Sequence, residues 1–248
     1  LSVISKISNS YLLKKNPLIA KNIPDTQVLT LRSLHKMLGR YRMLYIKPNN
    51  SCQGKGIVRI ERHRQNRVIL MSSDHGNTLT APLHAQKIFD HIQEFRMDRP
   101  YLIQQGIHSL TKNHNLFDLR VHLIRQKWTW KIVGIAGRVA SEHLIVTNYN
   151  HGVEYKPIRK LLKNDLDYLP PKAKKTVEKI RALSLQAAHT ISRAYPKWNE
   201  FGIDIGIDRD GHIWIYEVNI HPSIKIFQIF KPDISKRIRK IRCVFSKK

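Results

Sequence analysis

Cysteine is nearly missing from this chain: only Cys52 and Cys243 occur in 248 residues. Two thiols build neither a disulfide framework nor a Cys-rich zinc site, and such sparing use fits a reducing cytoplasm. There is no run of about 18 apolar residues, so the pattern holds no membrane-spanning helix. The opening stretch LSVISKISNSYLLKK has neither the long apolar core nor the small-residue cleavage site of a secretory signal. The 13 histidines are scattered, with no H-E-x-x-H or comparable spacing for a transition metal. Acid is scarce too: 18 Asp and Glu face 44 Lys and Arg, for a formal net charge of +26. That imbalance points to an anionic partner, whether nucleic acid, a membrane surface or an acidic peptide.

What is present describes a folded chain. A hydrophobic fraction of 42% with 8% aromatics excludes wholesale disorder. The length fits one large domain or two interleaved smaller ones. Basic residues gather at the ends, forming an N-terminal basic segment (1–20) and a basic tail (231–248). Such tails bind nucleic acid non-specifically through phosphate contacts. In the C-terminal one, Ile234, Ile238 and Ile241 have the spacing of an amphipathic helix that docks on an anionic surface.

Between the ends, strands and helices are mixed without regular βαβ alternation, which predicts an α+β fold with mainly antiparallel sheets. MLYIK (43–47), GIVRI (56–60), RVILM (67–71), YLIQQ (101–105), 118–126 and 128–140 have strand character. HAQKIFDHIQEF (84–95) carries Ile88, Ile92 and Phe95 at helical spacing. A long helix is expected from Pro171 to Tyr195, opened by Pro170–Pro171 and closed by Pro196. FGIDIGI and HIWIYEVN follow as strands around the turn DRDG.

In that last hairpin, alternation puts Glu217 and Asn219 on one face. A two-residue loop at Arg209–Asp210 would set Asp208 opposite Gly211 and Asp204 opposite Ile215, one diagonal step from Glu217. Two desolvated, unpaired carboxylates would cost several kcal/mol. Either a hard divalent cation, Mg²⁺ or Mn²⁺, neutralises them through oxygen ligands, or arginines and lysines do. A second signal is LYIKPNNSCQGKGIVRI (44–60). Here Lys47 ends a strand, Ser51 and Gln53 offer donors, and Gly54, Lys55 and Gly56 close a loop able to wrap an anion. An ordinary glycine-containing hairpin is the simpler alternative, and no Walker pattern is present.

The ordered series IPDTQ, YIKPNNSCQGKGI, YLIQQGI, DLRVHLI, GIAGRVA, TNYNHG and FGIDIGI…YEVNIHPS resembles the ATP-grasp superfamily, most nearly its YheC/YheD (endospore coat-associated) branch. The resemblance implies two α+β subdomains gripping ATP, at 21–103 with a lid loop at 48–56, and at 104–230. It also implies a domain before the grasp that is absent or much reduced here. Lys47 would contact phosphates, and Ser51, Gln53, Gly54, Lys55 and Gly56 would form the lid. Gln104, Gln105, Gly106 and Ile107 would hold the adenine edge, with Asp118 near the ribose. Arg120 and Arg138 would serve catalysis, facing the phosphates or an acyl phosphate. Asp204, Glu217 and Asn219 would bind two Mg²⁺ or Mn²⁺ ions, and Asn148, His151 and Gly152 would approach substrate. A further lysine near adenine is implied, but the sequence assigns it no position. The implied activity is ATP-dependent carboxylate–amine ligation through an acyl phosphate, on an acidic amino acid or peptide, in the setting of a bacterial spore coat and its proteins. A nucleotide-binding but non-catalytic coat protein is the alternative.

Overall fold

The computed structural model describes residues 5–50, 55–73, 78–142, 144–147, 152–220 and 222–245. The chain begins with helix α1 (Lys6–Lys15), whose N-cap Ser5 side chain accepts the Ser8 N–H. Strand β1 (Thr26–Val28) leads to α2 (Leu31–Arg40), opened by a capping box in which Thr30 and Ser33 exchange side-chain and backbone bonds. β2 (Met43–Pro48), β3 (Val58–His63), β4 (Arg67–Ser72) and β5 (Thr78–Pro82) precede α3 (Ala85–Phe95) and β6 (Tyr101–Gln105). The first sheet has the order β1-β6-β2-β3-β4-β5. Its apolar face packs on α2 and α3 through Leu34, Met37, Ile88 and Ile92 against Leu44, Ile46, Ile60 and Ile103. Tyr45 and Lys47 project from the opposite face, as period-2 alternation demands.

The second sheet joins β7 (Phe117–Gln126), β8 (Thr129–Ala140), β9 (Val153–Pro157), β10 (Glu200–Ile207) and β11 (Ile213–Ile220) in the order β11-β10-β7-β8-β9. Between β9 and β10 lie a short turn α4 (Ile158–Lys160), a wide turn (Leu161–Asp165) and the long helix α5 (Pro170–Ala194), with proline in its first turn. Every pairing recorded in the two sheets is antiparallel, in agreement with the expected α+β class. Along β7 the odd residues Phe117, Leu119, Val121 and Leu123 join Ile180, Ala187 and Ile191 of α5 in the largest core. The even residues Asp118, Arg120 and His122 are also buried, on the other face. β10 shares this burial on both faces, with Glu200 and Asp204 on the polar one.

Both basic ends are built into the fold. Leu13 of α1 sits in the main core, and Asn9 Nδ2 donates to the Val218 carbonyl at 3.1 Å. At the C-terminus, α6 (Lys225–Phe230) and α7 (Pro232–Phe245) cover part of the second sheet's polar face. Ile238 is buried there, with Ile234 and Ile241 packed beside it. The apolar stripe of the tail thus docks on the protein's own sheet instead of an external anionic surface. No helix among the described residues is long and apolar enough to cross a membrane.

The hairpin of β10 and β11 departs from the sequence count in two places. Asp208 N–H donates to the His212 carbonyl, and Gly211 takes φ +78°, so the loop has three residues, Arg209, Asp210 and Gly211. Asp208 therefore faces His212, not Gly211. A β-bulge then leaves Tyr216 as an extra residue, since Ile205 pairs with Ile215 while Asp204 pairs with Glu217. Asp204 is thus directly opposite Glu217, not Ile215.

Because α1 is part of the core, Leu13→Ala is expected to lower stability by about 2–5 kcal/mol. Urea denaturation checks this; a change near zero would make α1 an appendage.

Candidate functional site

A cavity of about 580 Å³ opens between the two sheets. The first sheet contributes Tyr45 and Lys47 from β2 and Gln104 and Gln105 from β6, with Ile107 just beyond. The second contributes Asp118, Arg120, Arg138, Asp204, Tyr216, Glu217 and Asn219, and Lys6 reaches in from α1. The residues expected to contact phosphate, to catalyse and to bind metal are therefore brought together.

On the first-sheet side, Lys47 Nζ donates to Gln104 Oε1 at 2.7 Å. Gln104 in turn donates to Thr26 Oγ1 at 3.0 Å and to the Tyr216 carbonyl at 3.4 Å, which links the sheets. Tyr45 OH makes a second link, to the Ile145 carbonyl at 3.0 Å. Burial pushes the Lys47 ammonium down to about 8, although Glu217, Asp204 and Asp118 pull the other way.

On the second-sheet side, Arg120 forms a two-pronged bond to Asp204, with Nε–Oδ1 at 2.5 Å and Nη2–Oδ2 at 3.1 Å. Arg138 grips Asp118 in the same way, with Nε–Oδ1 at 2.6 Å, and reaches Asp204 Oδ1 at 3.0 Å through Nη2. Burial pushes the Asp204 carboxyl up, but Arg120 and Arg138 outweigh it and hold it below the usual range. Asp118 is pushed up by burial, which exceeds the effect of Arg138.

The arginine pairing weighed at the sequence level is therefore real for Asp204. Glu217 differs: its ion-pair contact is Lys6 Nζ, 3.5 Å from Oε2. Asn219 Nδ2 lies 3.3 Å from Asp204 Oδ2, which closes a set of two carboxylates and an amide. Among the described residues no group of three or more His, Cys, Asp or Glu is arranged around a metal. The oxygen donors, and a carboxylate that already faces a cation within the cavity, fit a hard divalent ion.

Not every expected residue lines the cavity. Lys55 is exposed and Gly56, at φ +70°, packs beside the Tyr101 hydroxyl; neither lines the cavity. Gly106 is outside the lining, and its N–H donates to the Met43 carbonyl at 2.8 Å because the backbones approach too closely for a side chain. The Gln105 N–H is likewise taken, by the Asp25 carbonyl at 2.8 Å. Gly152 accepts from Ser141 N–H at 2.8 Å and does not line the cavity. Ser51, Gln53, Gly54, Asn148 and His151 fall outside the described residues. Lys6 is the lining residue that sequence reasoning missed, since only the anchoring of α1 against β11 brings it here. Lys225, just past Pro222 and Ser223, is a second.

Two antiparallel sheets closing on a charged cavity make an ATP-grasp fold. The L-amino acid ligase from Bacillus licheniformis has it, with a TM-score of 0.52 at 13% identity over 87% of this chain and 39% of that one. The chain belongs to the YheC/D like ATP-grasp family, whose pattern matches residues 2–246. It is 26% identical to the endospore coat-associated protein YheD of Bacillus subtilis (strain 168) over 221 residues, 87% of this chain and 48% of YheD. Its identity to YheC of the same organism is 20% over 240 residues, 91% of this chain and 62% of YheC. The chain thus spans about half of one relative and under two thirds of the other.

Lys47 carries its charge below about pH 8 and loses it above. Affinity for ADP is therefore expected to fall above that pH, by up to about tenfold per unit. Lys47→Arg stays charged and should flatten the fall. Titration calorimetry across this range checks it; an equally steep Lys47→Arg profile would assign the dependence to another group.

Proposed function

We propose that this chain uses ATP to join a carboxylate to an amine. What carries the reading is the convergence of Lys47, Arg120, Arg138, Asp204, Glu217 and Asn219 on one cavity between two sheets, in a member of an ATP-grasp family. A substrate carboxylate oxygen attacks the γ-phosphorus of ATP; the β–γ bridging P–O bond breaks, ADP leaves and an acyl phosphate forms. The amine of a second substrate then attacks the carbonyl carbon. The C–N bond forms, the C–O bond to phosphate breaks, and the surplus amine proton passes to solvent.

The residues serve this chemistry by position and charge and need no side-chain nucleophile. Arg120 and Arg138 stabilise the negative charge that develops on the transferred group, and Lys47 anchors the phosphates. Asp204, Glu217 and Asn219 would hold one or two Mg²⁺ or Mn²⁺ ions, which when bound neutralise phosphate charge and orient the tail. Tyr45, Ile57, Gln104, Gln105 and Ile107 are uncharged lining residues, suited to a nucleobase.

Five cationic side chains, Lys6, Lys47, Arg120, Arg138 and Lys225, line the cavity against the three carboxylates Asp118, Asp204 and Glu217. The excess supports a substrate with its own negative charge, an acidic amino acid or peptide. The ligase of like fold acts, by its name, on L-amino acids, and the curated relatives are endospore coat-associated, which supports a coat setting. A second reading, nucleotide binding without ligation, is favoured by one observation: Asp204 is already neutralised by two arginines.

Incubation with ATP, Mg²⁺ and a panel of acidic amino acids and peptides, followed by ADP release and product mass, separates these readings. Ligation gives ADP together with an amide product, while nucleotide binding with no product supports the second. Glu217→Gln is expected to cut ADP release by about a hundredfold or more with the circular dichroism spectrum unchanged. Undiminished release would remove Glu217 from the site.

A further inference from the structure

The polar face of the second sheet does not end at the cavity. Past Gly202 it continues into a second buried cluster that ligation does not employ. His122 Nε2 lies 2.7 Å from Glu200 Oε1. Arg242 of α7 donates to both Glu200 oxygens, through Nε to Oε2 at 2.9 Å and Nη2 to Oε1 at 2.6 Å. The same Nη2 donates to the Pro222 carbonyl at 2.7 Å. His122 is fully buried, its ring edge-on to Phe227 of α6 with centroids 5.7 Å apart, and its Nδ1 has no hydrogen-bond partner among the described residues. The hydrogen-bond network therefore assigns a neutral ring whose Nε2–H donates to Glu200, since a bare lone pair is easier to leave unmatched than an N–H. Arg242 is the countercharge of Glu200.

Two glycines shape the sheet to receive this segment. A Cβ at Gly202 would lie 2.5 Å from Pro222 Cβ and 3.1 Å from Arg120 Nη1. One at Gly134 would lie 2.5 Å from Phe227 Cε1. Pro222, Ser223, Lys225 and Ile226 in turn form a wall of the cavity, just beyond Asn219. Mere attachment of α7 is already provided by Ile238, fully buried with Ile234 and Ile241 beside it. A half-buried ion pair such as Arg242–Glu200 is a poor general adhesive, because desolvation of the carboxylate and solvent screening of the guanidinium offset its attraction. What it adds is direction: one guanidinium bonded to one carbonyl in the cavity wall.

We infer that His122, Glu200 and Arg242 form a positioning device through which α7 fixes Asn219 and the 222–226 wall against the cavity. The mechanical link stands on the contacts alone; its consequence for ligand binding rests on the ligase reading. The test compares Arg242→Ala and Arg242→Lys with Ile238→Ala, a control that loosens α7 without touching the cluster. Amide hydrogen exchange of the unliganded proteins is read at Asn219 and 223–226. Arg242→Ala is expected to raise exchange there by about tenfold or more and Arg242→Lys by less, while Ile238→Ala, at a similar loss in Tm, stays within about twofold of the parent. Equal rises in Arg242→Ala and Ile238→Ala, or none in either, would overturn the inference.

Calorimetry with ADP plus Mg²⁺ supplies the second readout. Arg242→Ala is expected to weaken this binding by about tenfold and to leave ADP without Mg²⁺ nearly unchanged, because Asn219 is the ligand displaced. An equal loss with and without Mg²⁺ would overturn the role assigned through Asn219. If the parent itself shows no ADP binding while the exchange pattern holds, it is the ligase reading that falls and the positioning link that survives.

Discussion

Two arginines and two carboxylates, interlocked beneath the cavity, are the constraint on which the site depends. Arg120 holds Asp204, Arg138 holds Asp118, and Arg138 also reaches Asp204. Each charge is buried, so none is tolerable alone: removing one member of such a pair costs about 3–5 kcal/mol, because the other is left uncompensated. The set explains how β7, β8 and β10 carry charges on a covered face without splitting the sheet. With Lys6 facing Glu217, it leaves Lys47 and Lys225 as the surplus that an anionic ligand meets.

The two sheets are held together differently from how each is held internally. Among the described residues the core behind the second sheet and the core behind the first share no member. Contacts across the cleft are polar and few, such as Tyr45 to the Ile145 carbonyl and Gln104 to the Tyr216 carbonyl. Helix α1 adds a further contact, its Ile7 N–H donating to Asn49 Oδ1 at 3.1 Å. Lys47 and Gln104 sit on the first sheet and the arginine–carboxylate set on the second, so the cavity draws its charged groups from both.

Much of this was legible in the sequence, and the reasons are specific. Central strands and the long helix follow from alternation and helical spacing: 101–105 was read to the residue, and the helix expected over 171–195 spans Pro170–Ala194. Alternation put Glu217, Asn219 and Asp204 on one face, while the place of Arg120 and Arg138 beside them and Lys47 followed only from the family resemblance. What escaped depends on contacts remote in the chain. α1 is weakly amphipathic, with Asn9 and Leu13 as its buried residues, so nothing local announced that Lys6 would reach Glu217. The tail's isoleucines were visible, but which surface they cover was not. The glycines at 106 and 152 serve close backbone approach and a turn, which no local signal separates from a ligand contact.

The β10–β11 hairpin shows how a wrong count can end on the right face. The loop is one residue longer than the shortest hairpin would have, and the bulge at Tyr216 adds one more. Either change by itself would turn Glu217 toward the apolar core behind the sheet; together they restore its facing. A single-residue length change at the tip or at the bulge alone would therefore misdirect Glu217, and only a matched change at both would keep the carboxylate on the cavity face.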